Sequence, residues 1–205
     1  MADIISGILA GISISLGGTV YLLIDSKVIG ALFFTVGLFC VCVFGFSLFT
    51  GKVCYAFDSD GKYVRALPVI WLGNLIGALL TGLLLMQTRL ASGLYERASA
   101  ICRTKIGQGY LSAFILAVFC DIMIYIAVEG YRTIGHDVGK CLAVFFGVTV
   151  FVLCGFEHCV ANMYYFTVGR AWSMEAAIYL LVMTAGNAVG GVSIPLLRRI
   201  MTRKR

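Results

Sequence analysis

Several stretches of this chain run without charge for about the thickness of a lipid bilayer. Residues 28–51, 66–88 and 176–197 contain no Asp, Glu, Lys or Arg, and a helix needs ~20 apolar residues to cross the hydrocarbon of a membrane. The wider composition agrees, since 60% of the residues are apolar and 13% are charged, against roughly 25% charged in an ordinary soluble domain. By length, and by where charge and turn residues fall, the spacing predicts six spanning segments at residues 4–24, 28–49, 67–87, 108–128, 139–168 and 171–197. In 205 residues these leave only short connections, so a single transmembrane domain over residues 1–205 is expected. Residues 1–24 carry no Lys or Arg ahead of a long apolar stretch. That is not the basic start of a cleavable signal peptide, and the stretch reads as the first span.

The net charge of +6 does not call for nucleic acid. Five of the sixteen basic residues, Arg198, Arg199, Arg203, Lys204 and Arg205, form a tail beside the last span, which orientation and anionic lipid explain. On alternate sides of the spans, one side collects Lys52, Lys62, Arg65, Arg132, Lys140 and the tail, and the other collects Lys27, Arg89, Arg97, Arg103, Lys105 and Arg170. The richer side should be cytoplasmic and should hold both termini. A multi-pass protein of a prokaryotic inner membrane is expected. The eight cysteines lie mostly in apolar runs without CxxC pairs or metal-ligand spacing. They read as small packing residues, and neither metal nor cofactor is expected.

An internal repeat is visible. Gly45-Phe46 precedes a polar interruption in the second segment and Gly155-Phe156 precedes one in the fifth, while Gly73-Asn74-x-x-Gly77 is echoed by Gly186-Asn187-x-x-Gly190. Two units of three spans must lie upside down relative to each other. The fold class predicted is therefore an all-α membrane protein of six helices in two inverted three-helix repeats, residues 4–87 and 108–197, with the second and fifth helices broken. The competing explanation of the glycines is ordinary small-residue packing between membrane helices.

The interruptions carry the chemistry. Glu157, His158 and Asn162 sit in a stretch otherwise apolar enough to span, and ionisable groups at that depth normally face a cavity or a partner. Gly155 allows the backbone to leave helical geometry there. The second segment offers Thr50, a hydroxyl that can donate or accept, followed by Gly51. If the halves pack about a common axis, Thr50 meets His158 and fixes its tautomer.

Leu48-Phe49-Thr50-Gly51, together with Gly155-Phe156-Glu157-His158-x-x-Ala161-Asn162-Met163, resembles the signature pair of the formate/nitrite transporter family, which also includes hydrosulfide and lactate channels. The likeness runs from Gly7-x-x-x-Gly11 to Gly186-Asn187-x-x-Gly190. It implies a homopentamer of aquaporin-like protomers, each with its own pore. It also implies that His158 is the central pore histidine and Thr50 its partner, with Leu48 and Phe49 in the loop that breaks the second helix. Phe34, Leu38 and Phe151 would then join them in two apolar constrictions, and Lys105 would be a vestibule lysine that attracts anions. Asp121 departs from the pattern, standing where the family typically has an asparagine facing the vestibule; there it could pair with Lys105 and cancel its attraction, or be held protonated by burial. Lys52 also departs, at a position after Thr-Gly that is often asparagine, where it could restore local positive potential.

A channel for small monovalent anions of weak acids, such as formate, nitrite or hydrosulfide, is the expected function. A charged anion crosses an apolar constriction at high cost and its neutral conjugate acid does not, so protonation near His158 would aid passage. The alternative is an aquaporin-like channel for a neutral polar solute, although paired Asn-Pro-Ala motifs are missing and the two prolines, Pro68 and Pro195, stand elsewhere. An enzyme using Glu157, His158 or Cys159 is disfavoured, because residues adjacent in sequence seldom aim at one reacting atom.

Overall fold

The computed structural model describes residues 1–203; Lys204 and Arg205 of the basic tail lie outside them. Among the described residues the architecture is entirely helical. In chain order the helices are α1 (Ala2–Leu23), α2 (Lys27–Phe44), α3 (Phe49–Val53), α4 (Gly61–Leu85), α5 (Ala91–Gly107), α6 (Tyr110–Thr133), α7 (Asp137–Leu153), α8 (Cys159–Val168) and α9 (Met174–Arg203). Five of them, α1, α2, α4, α6 and α9, are long and apolar enough to cross a membrane. The fifth segment is divided between α7 and α8, as the second is between α2 and α3.

Local chemistry explains the boundaries. Ser26 caps α2 by accepting from the Ile29 N–H, Asp60 caps α4 through the Tyr63 N–H at 2.8 Å, and the His136 Nδ1 caps α7 through the Gly139 N–H at 3.0 Å. The helix breaks are set by Gly45 and Gly155, both with φ of +68°. A side chain at either glycine would meet open space, so the requirement is left-handed backbone rather than room.

The halves match bond for bond. In the first, the Phe46 N–H returns to the Val41 carbonyl and the Ser47 N–H reaches the Ser6 carbonyl. In the second, the Phe156 N–H returns to the Phe151 carbonyl and the Glu157 N–H reaches the Leu116 carbonyl. The glycine echoes mark close helix crossings. A Cβ on Gly77 of α4 would strike the Ile8 carbonyl of α1, and one on Gly190 of α9 would strike the Val118 carbonyl of α6. Repeat and small-residue packing are thus both present, because the same glycines serve the equivalent crossing in each half.

Polarity is inverted relative to a soluble protein. Phe33, Leu83, Leu84, Phe119, Phe146 and Leu181 are exposed on the outside, whereas Thr50, Asn74, Asp121, Glu157, His158, Asn162 and Asn187 are buried. That distribution suits lipid on the outer face.

Two expectations need correction. Residues 88–107, expected as a plain connection, contain α5, whose Leu94, Ala98 and Cys102 form a buried stripe at helical spacing. It carries too many charged residues to read as a span, and its helical character rests on packing against α8. Cys54, Cys102, Cys120 and Cys159 are buried and Cys42 packs against the core, whereas Cys141 and Cys154 are exposed, so the packing reading does not cover those two.

Candidate permeation site

Two asparagines hold the broken segments in place. Asn74 of α4 accepts from the Phe49 N–H at 2.8 Å and donates to the carbonyls of Gly7 and Ser47 at 2.8 and 2.9 Å. Asn187 of α9 accepts from the Cys159 N–H at 2.9 Å and donates to the carbonyls of Ala117 and Glu157 at 2.9 and 2.8 Å. Each side chain therefore supplies the partners that a loop at membrane depth cannot obtain from water.

The two loops deliver Thr50 and His158 to each other. Both are buried, and Thr50 Oγ1 lies 3.0 Å from His158 Nε2. His158 also caps α8, with the Ala161 N–H donating to Nδ1 at 3.1 Å. An N–H can only donate, so Nδ1 is the unprotonated nitrogen and Nε2 carries the proton. Nε2 then donates to Thr50 Oγ1, which leaves the threonine hydroxyl proton free for another acceptor. A second proton could enter the imidazole only at Nδ1, where the cap already sits.

A vestibule lies on either side of this pair. One, of about 390 Å³, is lined by Lys27, Phe34, Lys105, Gln108, Phe151, Glu157, His158 and Asn162 among others. Its floor is aromatic: Phe34 meets Phe151 edge-on at 5.9 Å, and Phe151 stacks on His158 at 5.7 Å. The other vestibule, of about 740 Å³, is lined by Leu48, Gly51, Lys52, Tyr55, Asp58, Tyr63, Arg132 and Lys140 among others. Leu38, Phe49 and Thr50 line neither vestibule and are buried.

Within the first vestibule, Glu157 is the hub. Its Oε2 accepts from Lys105 Nζ at 2.5 Å and from Asn162 Nδ2 at 2.7 Å, and its Oε1 accepts from Gln108 Nε2 at 2.7 Å. Lys105 is thus neutralised by Glu157. Asp121 does not take that part: it is fully buried, both carboxyl oxygens lack a hydrogen-bond partner among the described residues, and it faces Gly191 of α9 beside Val53 and Cys54. The expectation that Asp121 faces the vestibule and pairs with Lys105 is therefore corrected, and of the two expected outcomes burial is the one the fold provides. Asp121, on α6, lies beside Gly191 of α9 with Val53 and Cys54, whereas Lys105, on α5, reaches Glu157. Gln108 joins the site with no sequence signal to mark it, because it sits between two helices with no motif around it. Asn74 and Asn187 are visible as repeat echoes, but their role as loop clamps follows only from the contacts.

Residues 1–199 match the sequence family described as formate/nitrite transporter. This chain belongs to the formate/nitrite transporter family. Among its relatives, the formate channel FocA of Haemophilus influenzae is 27% identical, with 97% of this chain and 86% of that protein covered. A probable formate transporter of Methanothermobacter thermautotrophicus is 32% identical, covering 80% of this chain and 71% of the relative. A solved pentameric formate channel with formate bound superposes with a TM-score of 0.84 at 25% identity, covering 99% of this chain and 97% of that one. As a member of this family, the protein is a multi-pass membrane channel or transporter rather than an enzyme.

Proposed function

We propose that this formate/nitrite transporter family member conducts small monovalent anions of weak acids, with formate, nitrite and hydrosulfide as the substrate class, and that the neutral acid is the species that crosses the constriction. The observation that carries the reading is the buried Thr50–His158 pair at 3.0 Å, which stands between two vestibules with His158 at the edge of the first. The bound formate and pentameric state of the solved relative support the same chemistry and a homopentamer with one pore per protomer.

An anion gathers in a vestibule whose basic side chains favour it. As it sheds water against Phe34 and Phe151 on one side, or Leu48 on the other, the charged form becomes costly and a proton from vestibule water neutralises it. Thr50 receives the Nε2 proton of His158 as a hydrogen bond and offers its own to the permeant oxygen. His158 orients and polarises Thr50 rather than serving as a proton store, since its remaining nitrogen holds the α8 cap. Leu38 and Phe49 complete the dry section, and Glu157 and Asn162 hold Lys105 at the mouth. The chain forms one channel domain with pseudo-equivalent halves at residues 4–87 and 108–197. Lys52, Arg132 and Lys140 share one mouth and Lys27 and Lys105 the other, which supports a cytoplasmic location for the Lys52 mouth and for both termini.

Proteoliposome flux of formate, nitrite, hydrosulfide, chloride and glycerol at two pH values tests this. Weak-acid anions should pass faster at the lower pH, and His158→Ala should abolish or flatten that flux. Unchanged, pH-independent flux in His158→Ala, or swelling with glycerol that exceeds anion flux, would overturn it in favour of a neutral-solute pore.

A further inference from the structure

The internal symmetry exposes a difference in charge between the two mouths. The matched bonds of Asn74 and Asn187 set Ser47 against Glu157 and Phe49 against Cys159. Counting on along α3 and α8, Lys52 falls opposite Asn162. Outside one end of the constriction, then, stands a closed group of Glu157, Asn162 and Lys105 whose charges cancel. At the other end, a serine and a lysine occupy the equivalent places, and neither is a carboxylate.

Asp58 is a carboxylate that lines this vestibule, but it is engaged away from Lys52. Asp58 pairs with Arg199 at 3.5 Å, Arg132 pairs with Glu129 at 3.0 Å while its guanidinium lies over Tyr55, and Lys140 pairs with Asp137 at 3.3 Å. Tyr55 also gives its hydroxyl to Glu129 at 2.8 Å. Lys52 has no ion-pair partner among the described residues, yet it lines the vestibule two positions from Thr50. Its backbone is anchored, because the Tyr63 hydroxyl donates to the Lys52 carbonyl at 2.8 Å. In the opposite vestibule, the comparable cation among the described residues is Lys27, an exposed residue at the first position of α2.

We propose that Lys52 is an anion-binding residue of the second vestibule, forming a loading station for a small monovalent anion on the far side of the constriction from Lys105. The inference rests on the anion-channel reading above. A passive pore must pass equal flux in both directions at low concentration, so the station shows in the half-saturating concentration at its own mouth rather than in the initial slope.

The test changes the charge after folding. Lys52→Cys is made in a background with Cys42, Cys141 and Cys154 replaced by serine. Influx of labelled formate is measured in right-side-out and inverted membrane vesicles. Loss of the amine should raise the half-saturating formate concentration about fivefold when formate is supplied at the Lys52 mouth, the effect of one unit charge at contact in a water-like dielectric. The value at the other mouth should stay unchanged. Aminoethyl methanethiosulfonate should restore the original value, and the sulfonatoethyl reagent should raise it further. The differences should vanish near 1 M salt, where the screening length falls to about 3 Å. Equal shifts at both mouths, or none on adding either charge, would overturn the role of Lys52 while leaving the channel intact. Absence of formate, nitrite and hydrosulfide flux in the unsubstituted protein would sink the channel reading itself, and this inference with it.

Discussion

Removing the clamp at Asn187 is the most direct way to ask whether the His158 loop is held as the geometry implies. In Asn187→Ala the Cys159 N–H and the Glu157 carbonyl both lose their side-chain partner, on two residues that are buried. A buried group left without a partner costs about 1–3 kcal/mol, so the two together cost about 2–6 kcal/mol. Side-chain hydrogen bonds in membrane proteins average near the low end of such ranges, which favours about 2 kcal/mol. Even that value shifts a local equilibrium by about 30-fold, enough to release His158 from Thr50. The Ala117 carbonyl adds little, since it stays within the regular helix α6. Asn74→Ala removes the same set of bonds from the Thr50 loop and should be equally damaging. Thermal unfolding of the purified protein in detergent and formate flux in proteoliposomes provide the readouts. Both variants should melt at lower temperature and lose flux, and Asn187→Asp, which keeps the acceptor and loses the donors, should fall between. Wild-type melting and flux in both alanine variants would show that the loops are held by something other than these asparagines.

Other outcomes follow from the same contacts. Thr50→Val keeps the volume but removes the hydroxyl that meets His158 Nε2 and should depress anion flux at least about tenfold, a loss of roughly one charge-assisted or buried hydrogen bond, whereas Thr50→Ser should retain most of it; flux assays of the pair decide this. Gly45→Ala or Gly155→Ala forces a side chain into left-handed backbone at a cost of about 1–2 kcal/mol, measurable as a lowered melting temperature although neither site is crowded. Cys154, exposed in the Lys105 vestibule, should react with a charged, impermeant thiol reagent applied from that side and slow formate flux, and Cys154→Ser should abolish the effect. Cys102 should stay unmodified in a mass-spectrometric map under mildly alkaline conditions, because burial pushes its thiol up to about 12 and leaves almost no thiolate. Asp121→Asn should leave half-saturation for formate unchanged, since Asp121 faces α9 and neither vestibule; a shift would return it to the pathway.

Much of this molecule is legible along the chain because the deciding physics is local. Charge-free runs of bilayer length demand spanning helices, Gly45 and Gly155 break them, and the echo of Gly73-Asn74 in Gly186-Asn187 reveals two related halves. The motif around Thr50 and His158 is readable for the same reason, since its residues are clustered in two short segments. What lies beyond the sequence depends on how the halves meet. Lys105 and Asp121 stand close together along the chain, yet packing sends one to Glu157 and the other to Gly191. Whether Lys52 stands free is likewise a property of several separate elements, because Asp58, Glu129 and Asp137 could each have answered it and are instead engaged by other cations. Apolar length and backbone freedom act within a few residues and can be read in one dimension; charge pairing acts through space, and only the folded arrangement determines which partner is within reach.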